Sequence, residues 1–315
     1  MSNMISIVIP LYNEEESLDV VYNEIIKVVK DHKYEIIFID DGSTDGSFEI
    51  LKELEEKNSH VRIFSFRKNQ GKAEALMLGF QKSKGDYIIT LDADLQDKPS
   101  EISKLLNKIN EGWELVCGWR KNRNDSFFKI VSSKIFNFMA SLFWDLKLHD
   151  YNCGLKAYTA EAAKSLSLYG GLHRFVPLLA YQQGFKVTEV SVDHEKRKFG
   201  KSKYGFSKLW KDMPDIFTML FLSRYSKRPM HFFGVVGSVL FLIGTLILGY
   251  LSVLRFQGET IGRRPVLFLG MLLVIAGLQV FFTGFLADLI INISKESKKS
   301  GVLLKYSSEK NNDSF

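Results

Sequence analysis

Cysteine is scarce in this chain, and so are the motifs of two common classes of nucleotide-binding enzyme. Its 315 residues contain two cysteines, Cys117 and Cys153, with no Cys-x-x-Cys or metal-binding spacing. We therefore expect no disulfide framework and two reduced thiols in a cytosolic domain. No Gly-x-Gly-x-x-Gly follows the first predicted strand, and no Gly-x-x-x-x-Gly-Lys-Ser/Thr occurs, so a dinucleotide fold and a P-loop enzyme are both disfavoured. The chain starts without a basic n-region, so we expect no signal peptide.

Neither positive nor negative residues are in large excess. The sequence has 42 Lys and Arg against 36 Asp and Glu, which gives a net charge of +6. This balance is too mild to indicate nucleic acid as a partner. It is compatible with an anionic membrane surface or with anionic substrates.

Two long uncharged runs are present near the end of the chain, from Phe232 to Leu254 and from Pro265 to Ala287. Each exceeds the ~20 residues that cross a bilayer, and the alternative is a pair of buried core helices. The two outer flanks together carry Arg224, Lys227, Arg228, Lys295, Lys298, Lys299 and Lys305, whereas the loop between the runs carries only Arg255, Arg263 and Arg264. The positive-inside bias then predicts that both termini, and the large domain before the runs, face the cytoplasm.

Apolar β-branched runs alternate with amphipathic stretches through the first 200 residues, which predicts a parallel, right-handed α/β sheet. The predicted strands cover 5–9, 34–39, 61–66, 87–91, 115–119 and 187–192, with a further short strand leading to Tyr158. The predicted helices cover 14–30, 47–57, 73–82, 99–110 and 174–183.

Acidic residues follow the strand Tyr87 to Leu91 at alternate positions. Asp92, Asp94 and Gln96 would turn their oxygen atoms into one crevice at the carboxyl end of the sheet, where α/β proteins bind ligands. Two carboxylates this close repel each other unless a cation lies between them. Oxygen ligands favour Mg²⁺ or Mn²⁺, which complete their shells with substrate phosphates. The alternative is an acidic surface turn.

Three segments have more than one interpretation. Apolar residues recur at helical spacing from Phe127 to Leu142, which is typical of a core helix and equally of an interfacial helix. The basic stretch from His194 to Lys203 is either a solvated charge run or a headgroup-binding segment. Phe206 to Tyr225 is a second amphipathic candidate. We therefore predict a globular domain 1–205, a juxtamembrane helix 206–230, a two-span hairpin 231–293 and a cytosolic tail 294–315.

The motifs together resemble a known family. Ser6–Glu15, Asp40–Gly46 and Asp92–Asp97 occur in the order found in glycosyltransferase family 2, and the chain looks like its polyprenyl-phosphate glycosyltransferase subgroup, which includes dolichol-phosphate mannosyltransferase. Asn69, Gly71, the turn Asp150–Tyr158, Arg197 with Lys203, and the two C-terminal spans extend the match. Lys98 stands where the family often has Pro, and Lys156 where it often has Arg, whose planar fork Lys cannot supply.

The resemblance implies a GT-A fold, a Rossmann-like α/β domain with a mainly parallel sheet, followed by amphipathic interface helices and two transmembrane helices. It also implies roles for individual residues. The nucleotide sugar would lie against Pro10, Tyr12, Glu14, Ile39, Asp41, Asp92 and Ala93. The metal, Mg²⁺ or Mn²⁺, would be held by Asp92, Asp94 and Gln96. Donor and acceptor phosphates would meet Arg120, Arg123, Arg197 and Lys203, and Asp94 and Asp150 would also act in catalysis, with a structural turn as the alternative for Asp150.

The implied reaction is inverting transfer of a sugar from a UDP- or GDP-sugar to a membrane polyprenyl phosphate. The expected setting is the inner or cell membrane, multi-pass, with the catalytic domain in the cytoplasm, a lipid-sugar flippase and a downstream transferase as partners, and a homo-oligomeric state. A processive polysaccharide synthase shares this core, but its Gln-x-x-Arg-Trp motif is absent here. A non-catalytic scaffold would be expected to lack Asp92 and Asp94. Sugar, base and prenol length stay open.

Overall fold

A computed structural model describes residues 3–121, 146–195, 229–262 and 264–297 of the chain. These residues fall into two compact units, one within 1–219 and one within 220–315. The predicted helix of 127–142, the basic residues from 196 to 203, the segment 206–225 and the tail from 298 lie outside the described residues.

The first unit is built on a seven-stranded sheet. Its strands are β1 (Ile5–Leu11), β2 (Tyr34–Asp40), β3 (Val61–Ser65), β4 (Tyr87–Thr90), β5 (Leu115–Arg120), β6 (Lys156–Thr159) and β7 (Val187–Val192). The order across the sheet is β3-β2-β1-β4-β6-β5-β7. The central strands are buried on both faces, as expected for a sheet covered by helices on each side.

The predicted α/β fold with a mainly parallel sheet is confirmed, with one exception in strand direction. β1, β2, β3 and β4 pair in parallel, and so do β5 and β7. β6 is antiparallel to both of its neighbours, β4 and β5. In a strand of four residues, alternating side chains indicate which face of the sheet each residue occupies, but they do not indicate the direction of the strand.

Helices connect the strands on both sides of the sheet. They are α1 (Leu18–Val29), α2 (Ser47–Lys57), α3 (Lys72–Lys82), α4 (Ile102–Asn110), α5 (Ala160–Ser165) and α6 (Val176–Gln182), with 3₁₀ turns at Pro99–Glu101 and Gly170–Phe175. Apolar spacing of three and four residues drives this packing, and in α1 it buries Leu18, Val21, Ile25 and Val29. The segment predicted as one helix, 99–110, begins with the 3₁₀ turn and continues as α4. Pro99, the first residue of the turn, has no N–H to donate.

β1 runs two residues beyond its predicted end and includes Pro10, which lacks the N–H that a central strand needs. The carbonyl of Val8 accepts from the N–H of Leu91, and the carbonyl of Leu11 accepts from the N–H of Asp41. Because backbone groups alternate in direction along a strand, Pro10 points towards the β4 side. The pairing of β1 with β4 ends at Val8 and Thr90, so no ladder bond is lost at Pro10.

The second unit is an antiparallel pair of long helices, α7 (Met230–Phe256) and α8 (Pro265–Ser297). Each contains a stretch long and apolar enough to cross a membrane, Met230–Phe256 and Pro265–Ile291, judged by length and composition. Both predicted runs lie within these stretches, and α8 continues past the predicted start of the tail at residue 294. Glycines allow close packing: a Cβ at Gly244 would lie 2.7 Å from the backbone N of Val274.

Candidate active site

The loops after β1 and β2 are joined by hydrogen bonds at the carboxyl edge of the sheet. Asn13 has a left-handed backbone, with φ of 55°, and its N–H donates to Oγ of Ser43 at 2.9 Å. The N–H of Thr44 donates to Oδ1 of Asn13 at 2.8 Å, and the N–H of Glu14 donates to Oγ of Ser47 at 3.0 Å. Short polar side chains therefore fix both loops beside each other.

Four of the residues that the family resemblance places against the nucleotide sugar lie at this edge. Pro10 and Ile39 are register partners in the β1–β2 pair, and both are buried. Tyr12 and Glu14 follow in the first loop and are half-buried. These four residues therefore lie at the carboxyl end of the β1–β2 pair.

Asp41 lies where the second loop meets the loop after β3. Its carboxylate accepts from the N–H of Gln70 at 2.7 Å and from the N–H of Gly71 at 3.0 Å. Burial raises the pKa of Asp41, and the two backbone hydrogen bonds only partly oppose this. Gly42 has φ of 72°, and a Cβ there would lie 2.7 Å from the backbone C of Lys68, so only glycine fits this approach.

The acidic segment after β4 alternates as predicted. Leu91, Ala93, Leu95 and Asp97 are buried, whereas Asp92, Asp94 and Gln96 between them are half-buried. Leu95 has a left-handed φ of 58°, and Oδ1 of Asp94 accepts from the N–H of Gln96 at 3.2 Å. This turn directs the three polar side chains to the partly exposed side of the loop.

Lys72 is a site residue that sequence reasoning missed. Its Nζ lies 2.5 Å from Oδ1 of Asp92, with both side chains about one-third exposed, at 35% and 33%. Burial would raise the pKa of Asp92, but the charge and hydrogen bond of Lys72 bring it below its usual value. Lys72 could have been found from its position directly after the turn that follows β3. Because the carboxyl ends of parallel strands share one edge of the sheet, this turn is expected near the loop after β4 that carries Asp92.

Further groups surround Asp92. A Cβ at Gly154 would lie 2.6 Å from Oδ2 of Asp92, so the turn 150–158 packs against this carboxylate. Burial lowers the pKa of His173 to about 3, with the positive charges of Lys72 and Arg174 acting in the same direction. His173 is therefore a neutral group near the Asp92–Lys72 pair at neutral pH. Lys156 is buried and donates to the carbonyl of Cys153.

The donor set fits a hard divalent cation that depends on its substrate for further ligands. Within the described ranges, no group of three His, Cys, Asp or Glu side chains is close enough to hold a metal. Asp94 and Gln96 supply oxygen atoms on one side of the loop, while Asp92 is paired with Lys72. An ion here would need phosphate oxygens or water to complete its shell, which is typical of Mg²⁺.

Arg120 and Asp150 form a buried ion pair. Nε of Arg120 lies 2.7 Å from Oδ2 of Asp150, and Nη2 lies 3.1 Å from Oδ1, with side-chain exposures of 11% and 2%. Burial would lower the pKa of Arg120, but the hydrogen bond to Asp150 raises it above its ordinary value. Both oxygens of Asp150 are therefore engaged by a permanent cation. Arg123, Arg197 and Lys203 lie outside the described residues.

The fold has close counterparts among glycosyltransferases. Glucosyl-3-phosphoglycerate synthase from Mycobacterium tuberculosis, crystallised with Mn²⁺, UDP and phosphoglyceric acid, superposes with a TM-score of 0.57 at 20% identity, covering 70% of this chain and 78% of that chain. The same enzyme crystallised with Mg²⁺ and UDP gives a TM-score of 0.56. At this identity the likeness shows the fold alone, and that fold is the predicted GT-A fold.

Sequence comparison defines the family. The model described as Glycosyl transferase family 2 matches residues 6–167. The dodecaprenyl-phosphate galacturonate synthase of Rhizobium johnstonii is 35% identical over 91% of this chain and 87% of its own length. The undecaprenyl-phosphate 4-deoxy-4-formamido-L-arabinose transferase of Photorhabdus laumondii is 37% identical over 91% of this chain and 88% of its own length. The chain belongs to glycosyl transferase family 2 and is a glycosyltransferase.

Proposed function

We propose that this glycosyltransferase moves a sugar from a nucleotide sugar to a polyprenyl phosphate, with inversion at the anomeric carbon. The observation that carries this proposal is the 35% identity, over 91% of the chain, to a dodecaprenyl-phosphate galacturonate synthase. The similarity includes both the sheet domain and the helical hairpin, because neither unit alone makes up 91% of the chain. A second relative, at 37% identity, is also named for transfer to a prenyl phosphate.

The donor half of the site would use the loops after β1, β2 and β4. Pro10, Tyr12, Glu14, Ile39 and Asp41 would contact base and ribose, and the backbone at Ala93 would pass beside the nucleotide. The hydrogen bonds that Asn13 makes with Ser43 and Thr44 support this role, since they hold the first two loops in one arrangement before any donor binds. Such preorganisation lowers the entropic cost of binding.

Asp94 and Gln96 would hold a Mg²⁺ or Mn²⁺ ion with the donor diphosphate, and Asp92 would complete or flank that site. When bound, such an ion stabilises the negative charge of a leaving diphosphate. Lys72 already neutralises Asp92.

The acceptor half requires cations more than it requires a base. A phosphate monoester has a second pKa of ~6, so the nucleophilic oxygen is largely deprotonated at neutral pH. Asp150 is bound on both oxygens by Arg120, which supports a role in holding that guanidinium rather than in removing a proton. Arg120 and Arg123 would meet the lipid phosphate, and Arg197 and Lys203 the diphosphate that leaves.

The helices α7 and α8 would anchor the enzyme in the cell membrane as a two-span hairpin, with the sheet domain in the cytoplasm. Length and hydropathy support the two spans, and the distribution of Lys and Arg supports the orientation. The boundaries at 205, 230 and 293 belong to the same proposal. A homo-oligomer, a flippase for the lipid-linked sugar and a downstream transferase follow from the family resemblance and stay predictions.

The test is a screen of UDP- and GDP-sugars against undecaprenyl phosphate with the detergent-solubilised full chain. We expect one or a few donors to give a lipid whose mass, measured by mass spectrometry, has increased by one sugar residue. Donor hydrolysis without lipid product for every sugar would contradict the proposal. Nucleotide binding without any turnover would favour a non-catalytic scaffold instead.

A further inference from the structure

The loop with the candidate metal ligands is joined to the segment that follows β7. The N–H of Glu195 donates to the carbonyl of Gln96 at 2.9 Å. Next to it, Asp97 and His194 form an isolated antiparallel β-bridge. The backbone of a proposed metal ligand is therefore tied directly to a segment about 100 residues away in sequence.

Asp97 is the buried centre of this junction. Its side chain accepts from the N–H of Leu155 at 3.2 Å and faces Sγ of Cys153 at 3.7 Å. Its other oxygen lies 3.3 Å from Nδ1 of His194, and Asp97 and His194 are only 4% and 7% exposed. One carboxylate thus links the loop after β4, the turn before β6 and the segment after β7.

Lys98 adds an ion pair at the edge of the junction. Its Nζ lies 3.0 Å from Oε1 of Glu195 and 4.0 Å from Oδ2 of Asp193. The side chains of Lys98 and Glu195 are similarly exposed, at 36% and 37%. The hydrogen bond that Lys98 donates to Glu195 raises the pKa of Lys98, so the lysine stays charged in the physiological range.

We propose that Asp97, Lys98, His194 and Glu195, here called the clamp, are positioning residues that set the geometry of Asp94 and Gln96 for metal–nucleotide binding. Gln96 lies between Asp94 and the clamp, and its carbonyl is itself a clamp contact. Loosening Lys98 and Glu195 therefore changes the position of the loop without removing a ligand. The inference rests on the proposed function, because it assumes that this loop binds the donor with its metal.

Charge reversal on the full chain in detergent tests the clamp. Lys98→Glu and Glu195→Lys are each expected to weaken binding of Mn²⁺ with UDP or GDP by about fivefold, the scale of one partly exposed ion pair. Binding is measured by titration calorimetry, and Mn²⁺ alone is followed by electron paramagnetic resonance. The double variant restores the pair with reversed polarity and should return to within about twofold of the parent.

The signs of the two single effects separate positioning from simple electrostatics. If only the local charge mattered, Lys98→Glu would weaken and Glu195→Lys would strengthen the binding of an anionic nucleotide. Positioning predicts that both weaken it. In turnover, we expect the donor KM to rise with kcat within about twofold, because a ground-state binding geometry is lost.

The ion pair Lys108–Glu111 is the matched control, with a distance of 2.7 Å and exposures of 36% and 52%. Reversing either of its charges should leave binding unchanged. The inference is overturned if Lys98→Glu or Glu195→Lys binds like the parent, if they act in opposite directions, or if the double variant does not recover. Metal–nucleotide binding needs no lipid acceptor. Failure of undecaprenyl phosphate to accept sugar would therefore contradict the proposed function and leave this result intact.

Discussion

Two ion pairs lie in the candidate site, and each joins residues distant in sequence. Lys72 neutralises Asp92, and Arg120 occupies both oxygens of Asp150. Asp94 accepts from the N–H of Gln96 in a tight turn and is half-buried. We therefore expect the three aspartates to respond differently when they are changed.

Asp94→Asn should remove metal binding while the fold is kept, because the amide keeps the shape of the side chain and loses its charge. Affinity for Mn²⁺, measured by electron paramagnetic resonance, should fall by more than about 100-fold, beyond the loss typical of a residue that only orients a ligand. Asp31→Asn, at an exposed side chain in the turn after α1, is the control. Full activity of Asp94→Asn, or of the parent protein in EDTA, would refute the metal assignment.

Asp150→Ala should destabilise the protein strongly, because it leaves the buried guanidinium of Arg120 without its partner. Breaking one side of a buried pair costs about 3–5 kcal/mol. Chemical denaturation of the full chain in detergent measures this cost. Asp150→Asn in the transfer assay addresses the base alternative: a pH-independent loss of rate fits a positioning role, and rescue at high pH would indicate a base.

Sequence alone could assign residue types to this edge but could not pair them. Asp92, Asp94 and Gln96 were predicted from their alternation after a buried strand, and the structure retains that alternation. Lys72 lies 20 residues from Asp92, and no local pattern reports a contact over that separation. In the sequence, Lys98 stands out only as a departure from the pattern of the resembled family. The pairing of Lys98 with Glu195 is a tertiary contact between the loop after β4 and the segment after β7, and the sequence does not show it.

Helices and strands were predicted where hydrophobic periodicity is long and were missed where elements are short. α2 and β7 match their predicted bounds, since turn residues and charges define both ends. α5 has six residues and was not predicted, although Thr159 caps it by accepting from the N–H of Ala162. The direction of β6 depends on its neighbours in the sheet, and those contacts are tertiary.

Close packing of α7 against α8 at Gly244 can be tested by substitution. A Cβ at Gly244 would lie 2.7 Å from N of Val274 and 2.8 Å from O of Gly270, whereas nothing lies within 4 Å of a Cβ at Gly249 in the same helix. Gly244→Leu should therefore separate α7 from α8 at a cost of about 1–3 kcal/mol or more. Gly249→Leu should be nearly neutral.

Thermal unfolding in detergent, with hydrogen exchange of residues 230–297, measures both variants. Faster exchange across α7 and α8 in Gly244→Leu alone is the expected result. Equal effects of the two substitutions would mean that the close approach of the helices at Gly244 does not stabilise the hairpin.

The whole chain combines a proposed donor site at the edge of a sheet with a helical hairpin long and apolar enough to cross a bilayer. This combination explains why the proposed acceptor is a lipid: a phosphate on a membrane-embedded prenol would be confined to the surface beside which a membrane-anchored enzyme works. The acceptor phosphate would also be its own nucleophile, already deprotonated at neutral pH. The central claim is therefore that the enzyme transfers sugar to a lipid phosphate and does so without a general base.

The most direct measurement compares two acceptors that differ only in the phosphate, undecaprenyl phosphate and undecaprenol, with the same donor and the same detergent-solubilised enzyme. Lipid products are quantified by mass spectrometry at neutral pH. The account predicts sugar transfer to undecaprenyl phosphate and none to undecaprenol, whose hydroxyl stays protonated. Comparable transfer to undecaprenol would contradict it.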